Sequence, residues 1–211
     1  GSVDLTPMTV ASAFTLFANG GYKVEPYLVE SISDTQGHIV YQASPVKVCH
    51  TCVEAPPPEQ QPQQATTDED PYMLDPSSTE SNQAAAAAPT PPPAPTTTDT
   101  TKNAPRVMDA KIVYIMRSML QDVIARGTGI DARVLGRKDV GGKTGTTNDQ
   151  KDAWFTGFNA NLVTSVWVGF DTPSELGAGE YGARAALAVW VDYMRVALKG
   201  KPDNKYIPPA G

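Results

Sequence analysis

The sequence predicts a domain of the α/β or, more narrowly, the α+β class, in which helices cover an antiparallel sheet. Two observations support this prediction. The ordered parts follow one another as helix, two strands, gap, helix, three strands and helix. The length of 211 residues suits one or two domains, and no internal repeat divides the chain.

The first ordered segment predicts a helix followed by a hairpin. Thr6 is suited to cap the helix, Pro7 to its first position, and Gly20 to its end. Residues 27–33 and 38–41 then read as two strands around a polar turn that ends in glycine. This pattern predicts one helix followed by a short β-hairpin.

The second ordered segment predicts a helix, three strands and a last helix. Apolar residues recur at helical spacing over 109–126, with an aspartate to begin the helix and a glycine to stop it. Residues 141–146, 153–158 and 162–170 are strand candidates. Residues 183–198 form an amphipathic pattern, which indicates a helix with one face on the sheet.

A segment rich in proline, alanine and threonine separates these two parts. Residues 54–105 hold 12 of the 19 prolines and very few branched apolar side chains. Such a composition cannot bury enough apolar surface to fold, so the segment is predicted to be a disordered insertion in a surface loop, with a docking tether as the alternative. The segment has eight acidic residues and one basic residue, a net charge of −7, whereas the remainder has a net charge of +1 and shows no basic cluster for nucleic acid.

These segments define the predicted organisation of the chain. Residues 1–53 and 106–200 are the two parts of one domain, 54–105 are the insertion, and 201–211 are a C-terminal tail. The sequence has no run of about 18 apolar residues, which predicts that this chain makes no membrane contact of its own. It has neither a signal peptide nor an initial methionine, so we expect a fragment or a processed piece.

The stretch DVGGKTGTTND, residues 139–149, contains a lysine that fits two kinds of site. A nucleotide-binding P-loop of the form G-x-x-x-x-G-K-[ST] needs its first glycine at position 137, but that residue is Arg137, and Gly136 is one place too early. No helix pattern follows the lysine either. The alternative is Lys-Thr-Gly, one of the signatures of serine acyltransferases that react with penicillin.

Three stretches in order carry a resemblance to a known family. They are GSVDLTPMTVASAFTLFANGGY, then ARGTGIDARVLGRKDVGGKTGTTNDQKDAWFTGFN, then VWVGFD. Together they resemble the transpeptidase domain of bifunctional class A penicillin-binding proteins, over nearly all of 1–42 and 106–195. The resemblance implies the penicillin-binding-protein and serine β-lactamase-like fold, with its sheet incomplete in this chain. It also implies a peptidoglycan D,D-transpeptidase that β-lactams inhibit covalently, without cofactor or metal.

The resemblance also assigns roles to the residues of the Lys-Thr-Gly strand. Lys143 and Thr146 are expected to be catalytic, with Lys143 as a fixed positive charge and the Thr146 N–H as an oxyanion donor. Thr144, Gly145 and Thr147 are expected to bind substrate, since hydroxyls suit its carboxylate and glycine admits its backbone. Ordinary strand propensity is the alternative reading of the threonines.

The signatures that should carry the nucleophile are not found in this chain. No S-x-N motif occurs, and the one S-x-x-K match, Ser44 to Lys47, lacks the helix that would place both side chains together. The missing N-terminal part of the same protein is therefore an expected partner, and the fragment alone is expected to be inactive. A non-catalytic binding module of peptidoglycan or β-lactams on the same fold is the alternative function.

The remaining predictions concern the cysteines, the tryptophans and the compartment. The family works in the periplasm, where thiols oxidise, so a local disulfide between Cys49 and Cys52 is the expectation. Zinc would need a fourth ligand besides Cys49, His50 and Cys52, and the only other histidine in the sequence is His38. Trp154 and Trp167 are predicted to be core residues, like Trp190 on the last helix. Expected partners are stem peptides, β-lactams and other proteins of cell-wall synthesis.

Overall fold

The computed structural model describes residues 5–49 and 103–209, which contain three α-helices and five β-strands. Two 3₁₀-helices follow α2 and β3. The bounds are α1 Pro7–Asn19, β1 Ser31–Ser33, β2 Ile39–Gln42, α2 Ala110–Arg126, β3 Gly141–Thr146, β4 Asp152–Phe158, β5 Val163–Gly169 and α3 Ala185–Ala197, with 3₁₀-helices Ile130–Leu135 and Asn148–Gln150. The predicted mixture of helices and antiparallel strands is confirmed.

Local chemistry fixes the ends of α1 and α2 where the sequence predicted them. The Thr6 hydroxyl accepts a hydrogen bond from the N–H of Thr9 (3.2 Å). Gly20 ends α1 at φ 93°, a left-handed conformation that favours glycine, and its N–H donates to the carbonyl of Leu16. The Asp109 carboxylate accepts from the first N–H groups of α2, so each helix begins with a satisfied donor.

The three-stranded sheet has the order β3-β4-β5, with both pairs antiparallel. Because side chains alternate along a strand, the sheet has two different faces. One face packs against α3, where the rings of Phe155 and Trp190 lie 5.0 Å apart. The other face packs against α1, where Phe14 and Phe17 contact Phe158. We call these the α3 face and the α1 face.

The main hydrophobic core lies on the α3 face. Its largest fully buried members are Trp190, Phe155, Leu187 and Met194. The predicted burial of Trp190 is confirmed, but Tyr193 on the same helix is 51% exposed and is not a core residue. The core therefore fixes one side of the sheet and leaves much of the other side for the site described below.

Several local predictions differ from the structure, including the last helix, which is Ala185–Ala197 rather than 183–198. The strand predicted over 27–33 is wrong at its start, because only Ser31–Ser33 pairs with β2, and Tyr27 and Leu28 are exposed. The strand predicted over 162–170 is one residue shorter at each end. The 3₁₀-helix Ile130–Leu135 was not predicted at all, since its main anchor is one small side chain, Ala132, that is 1% exposed.

Most of the predicted insertion, residues 54–105, lies outside the described residues. Where the described chain resumes, it pairs with the first segment. The N–H of Ala104 donates to the carbonyl of Lys47 (2.8 Å), and the carbonyl of Pro105 accepts from the N–H of Lys23 (2.9 Å). In the part of the chain that the structure describes, no helix has the length and apolar character needed to cross a bilayer.

Candidate active-site groove

Strand β3 carries the Lys-Thr-Gly motif at an edge of its sheet. Among the described residues, β3 pairs with β4 alone. The N–H of Thr147, just after β3, donates to the carbonyl of Asp152 (3.1 Å). In an antiparallel pair, residues that bond the partner alternate with residues that do not. The N–H and C=O groups of Thr144 and Thr146 therefore point away from β4, towards the open edge.

Lys143 lies on the α1 face of this edge. Its side chain is exposed, and its ammonium donates to the carbonyl of Thr144 (2.8 Å), one of the outward-pointing carbonyls. The side chain lines a groove of about 640 Å³ between β3 and the beginning of α1. The groove is lined by Leu5, Thr6, Pro7, Val10, Phe14, Lys143, Thr144, Gly145, Thr146, Thr147, Asp152, Trp154, Thr156 and Trp167.

The hydroxyls of Thr144 and Thr146 are held from the α3 side of the strand. The Thr144 hydroxyl is hydrogen-bonded to the hydroxyl of Thr128 (2.8 Å), which belongs to the R-G-T-G stretch. The Thr146 hydroxyl accepts from the N–H of Gly182 (3.1 Å). Because the Gly182 N–H occupies a lone pair, the hydroxyl hydrogen of Thr146 can donate to a ligand at the edge.

Gly145 and Thr147 have different surroundings. A Cβ at position 145 would lie 3.1 Å from the Cβ of Trp154. Because glycine has no Cβ, no side chain fills the middle of the groove at this position. The Thr147 hydroxyl accepts from the N–H of Asp152 (2.8 Å) and contacts its carboxylate (3.2 Å). These contacts hold the turn after β3, and the predicted substrate contact of Thr147 stays a prediction.

Two tryptophans line the groove although the sequence predicted them in the core. Trp167 is 37% exposed, Trp154 is half-buried, and their rings lie 6.3 Å apart. The indole N–H of Trp167 donates to the Asp152 carboxylate (2.9 Å). The signal was present in the alternation of β4, because Ala153 and Phe155 fill the core and Trp154 lies between them on the other face.

The structure gives the S-x-x-K match no catalytic geometry. Ser44 is exposed and follows β2 without a helix, and Lys47 is exposed and bridges to Asn103. The location of the nucleophile outside this chain stays a prediction. Cys49 is disulfide-bonded in the structure, but its predicted partner Cys52 lies outside the described residues, so the pairing stays a prediction.

Comparison with known proteins identifies the family. Residues 1–189 match the model of the penicillin binding protein transpeptidase domain. Over all 211 residues the chain is 47% identical to penicillin-binding protein 1A of Pseudomonas aeruginosa and 36% identical to penicillin-binding protein 1A of Neisseria lactamica. The crystal structure of penicillin-binding protein 1A from Haemophilus influenzae superposes on 99% of the chain, with a TM-score of 0.75 and 33% identity.

The chain spans only part of each of these relatives. It covers 25% of the Pseudomonas aeruginosa protein, 20% of the Neisseria lactamica protein and 29% of the Haemophilus influenzae chain. The family match nevertheless extends over most of the 211 residues. The sequence resemblance to class A penicillin-binding proteins is thus confirmed, and the chain belongs to the family of the penicillin-binding protein transpeptidase domain.

Proposed function

We propose that this chain supplies the Lys-Thr-Gly side of a serine-type D,D-transpeptidase site. The reaction would cross-link peptidoglycan stem peptides through an acyl-serine, and β-lactams would acylate the same serine. One observation carries the proposal. Thr146, with its outward N–H, and Lys143, with its ammonium group, line the same groove at an open strand edge.

An open strand edge suits the chemistry of this reaction. Attack on a D-Ala-D-Ala amide produces a tetrahedral oxyanion, and preorganised N–H donors are usually the largest source of its stabilisation. The Thr146 N–H is one such donor in our proposal, and the N–H of the attacking serine is the other. An extended peptide can bind along the same edge through its backbone, as in β-strand addition.

The other side chains of the edge would bind the substrate's terminal carboxylate. Lys143 provides the positive charge and supports proton movement between serine side chains. Thr144 and Thr146 provide hydroxyls, and the Gly182 N–H leaves the Thr146 hydroxyl oriented as a donor. Gly145 lets the substrate backbone lie close to the strand, because no Cβ rises into the groove.

The nucleophile would come from polypeptide beyond these 211 residues. The sequence has no S-x-N motif, and its one S-x-x-K match is on exposed, non-helical backbone. We further propose that the protein acts in the periplasm, at the outer face of the inner membrane, together with other proteins of cell-wall synthesis.

The first test is acylation of a chimera. This chain replaces the matching quarter of the Pseudomonas aeruginosa relative, and the purified protein is incubated with fluorescent penicillin. We expect Lys143→Ala to slow labelling about 100-fold or more, since a positioned proton-transfer group is typically worth at least that factor. Lys111→Ala, which removes an exposed lysine of α2 away from the groove, should label like the parent chimera.

Both kinds of result are informative. A labelled parent with a slow Lys143→Ala variant supports the transpeptidase proposal. A folded parent that stays unlabelled contradicts it and favours the non-catalytic binding module. Incubation of the 211-residue chain alone completes the test, because labelling of this chain would show a nucleophile within it and overturn that part of the proposal.

A second test separates the backbone and side-chain roles of Thr146. Thr146→Pro removes the N–H, which bonds no partner strand within the described part of the chain, so this edge position can accept proline. Thr146→Val keeps the N–H and removes the hydroxyl. We expect the proline variant to acylate about 100-fold more slowly or worse, as for loss of one oxyanion donor. If both variants acylate equally fast while their circular dichroism matches the parent, the oxyanion assignment is wrong.

A further inference from the structure

The segment after α3 lies across the beginning of β3. The sequence predicted residues 201–211 simply as a tail, yet Lys201 to Tyr206 makes hydrogen bonds to residues 137–139, some 65 positions earlier. We call Lys201 to Tyr206 the C-terminal clamp. It contacts the chain immediately before the Lys-Thr-Gly strand, and this position determines what it can do.

Asp139 is the centre of these contacts. Its side chain is 1% exposed, and its carboxylate accepts two hydrogen bonds of 2.8 Å from the guanidinium of Arg137. It also accepts from the N–H of Asn204 (3.0 Å), from the Asn204 side chain (3.3 Å) and from the side chain of Asn159 (3.4 Å). Burial raises the pKa of Asp139, but these hydrogen bonds outweigh it and hold the pKa below its ordinary value.

Arg137 binds the clamp as well as Asp139. Its guanidinium donates to the carbonyls of Lys201 (2.8 Å) and Pro202 (3.0 Å) and lies 3.3 Å from the carboxylate of Asp203. The Asp203 carboxylate in turn accepts from the N–H of Lys138 (3.1 Å). The two segments are thus tied by charged and backbone groups of both.

Tyr206 extends the clamp to both remaining helices. Its hydroxyl donates to the carbonyl of Asp139 (3.2 Å), and its ring lies 4.1 Å from the guanidinium of Arg117 on α2. Arg117 donates to the carbonyls of Phe17 and Ala18 at the end of α1. Burial raises the pKa of Tyr206 to about 12, so its hydroxyl keeps the proton that it donates.

The clamp acts where β3 most needs support. Among the described residues β3 has a partner strand on one side only, so contacts at its beginning add to the support that β4 and α2 give it. Asp139 lies two residues before Gly141, where β3 begins, and four before Lys143. Asn159, at the end of β4, binds the same carboxylate, so Asp139 also fixes β3 against its neighbour.

We propose that Asp139 and Asn204 are positioning residues, through which the C-terminal clamp holds the Lys-Thr-Gly strand at the groove. The catalytic meaning of this inference rests on the proposed function, whereas the positioning itself does not. Neither residue lines the groove, so any effect on acylation would be transmitted through β3.

Hydrogen exchange measured by mass spectrometry on the 211-residue chain tests the positioning. Asn204→Asp places a carboxylate beside the buried Asp139 carboxylate with almost no change in shape. We expect exchange of β3 amides to rise about tenfold, which corresponds to about 1.4 kcal/mol for one disrupted buried polar contact. Lys205→Ala changes an exposed residue of the same segment and should leave exchange unaltered.

A third variant separates positioning from general loss of stability. Leu198→Ala truncates a buried core residue and should raise exchange in α3 and β3 together. If Asn204→Asp gives this uniform pattern, or leaves β3 unchanged, the proposal is overturned. Should Asn204→Asp not fold, Asn204→Ala takes its place, with a selective rise in β3 again expected and a uniform rise again contradicting the proposal.

Acylation of the chimera then tests the catalytic consequence. We expect Asn204→Asp to lower the second-order rate constant for fluorescent penicillin about tenfold, the same factor as in exchange, and Lys205→Ala to leave it unchanged. A normal rate constant in a variant with selectively raised β3 exchange contradicts the catalytic role. If the parent chimera does not label, the proposed function fails, while the exchange result still decides whether the clamp positions β3.

Discussion

The two ends of β3 have opposite environments although the strand is only six residues long. At its beginning, Gly142 pairs with Gly157, and the indole of Trp190 lies over the backbone of Gly157. At its end, Gly145 pairs with Trp154, which pairs in turn with Trp167 at the groove. At the beginning of β3, the absence of a side chain on Gly157 makes room for the buried indole of Trp190. At the end of β3, the absence of a side chain on Gly145 leaves the surface of the groove open.

This difference shows how one strand can be fixed and still bind a ligand. The beginning of β3 is buried and carries the contacts that hold it, and the end keeps its outward N–H and C=O groups at the edge. The rigidity of a site and its accessibility usually compete, because contacts that hold a strand also cover it. Here the two requirements are separated along the chain by about three residues, a distance of roughly 10 Å.

The largest expected effect comes from opening the buried end. Trp190→Ala should lower the free energy of unfolding by about 3–5 kcal/mol, because it leaves a large cavity against Phe155 and Gly157. Urea denaturation followed by circular dichroism measures it. Trp190→Phe keeps a ring and removes an indole N–H that has no partner among the described atoms, so its cost should be clearly smaller. Equal costs for the two variants would contradict the packing argument.

The next effect concerns the charge that holds the buried end. Asp139→Asn should cost roughly 2–3 kcal/mol at neutral pH, less than a fully broken buried ion pair because Asp203 remains beside Arg137. The pKa of Asp139 is held below its ordinary value of 3.8 when folded, so its stabilisation is present above that pH and is lost as the pH falls through the folded pKa. The difference in the free energy of unfolding between wild type and Asp139→Asn should therefore become smaller in acid.

Denaturation at a series of pH values between neutral and acid measures this gap. Asp122→Asn is a suitable control, because Asp122 is a partly exposed partner of Arg126 on α2. The difference in the free energy of unfolding between wild type and Asp139→Asn could instead stay constant from neutral pH into strong acid. That result would show that the carboxylate charge does not stabilise this end of β3.

A matched pair of alanine substitutions compares the two ends directly. A Cβ at position 142 would lie 2.7 Å from the Phe155 ring and 2.9 Å from the Thr156 carbonyl, so Gly142→Ala should cost about 1–3 kcal/mol through overpacking. At position 145 the nearest atom is 3.1 Å away, on Trp154 at the groove. Gly145→Ala should therefore cost less stability but slow acylation of the chimera more. A larger loss of stability for Gly145→Ala, or a larger loss of acylation rate for Gly142→Ala, would contradict the comparison.

The smallest expected effect lies at the open end. Trp167→Phe removes the indole N–H that donates to Asp152 but keeps an aromatic ring, and should cost about 1 kcal/mol because the bond is partly exposed to water. Denaturation measures this cost beside that of Trp190→Phe. A larger cost for Trp167→Phe than for Trp190→Ala would reverse our assignment of the buried and open ends.

The sequence predicted the helices and the motif strand well because both depend on local chemistry. The caps at Thr6 and Asp109, the left-handed Gly20 and the period of the apolar residues are all readable within a few positions. Lys143 and its neighbours were found through a motif that is contiguous in sequence. Their side chains then follow from strand alternation, which places Lys143 on one face and Thr144 and Thr146 on the other.

The missed features depend on contacts between distant residues. The hydrogen bonds between Asn204 and Asp139 join residues 65 positions apart and produce no periodic pattern in the sequence, so the clamp was predicted as a tail. Trp154 and Trp167 were assigned to the core by residue type alone, although the period of β4 places Trp154 opposite to Phe155. Residues 27–30 have strand propensity, but among the described residues they join no strand ladder, and propensity alone does not make a strand.

The contact between Gly182 and Thr146 has a consequence for how a distant substitution can reach the groove. A Cβ at position 182 would lie 2.4 Å from the carbonyls of Gly145 and Trp154, so any larger residue would push this loop away from the strand. The Thr146 hydroxyl would then lose the N–H that orients it. A substitution at Gly182, which lies outside the groove lining, would thus alter a hydroxyl inside it, and a survey of variants restricted to groove residues would overlook this position.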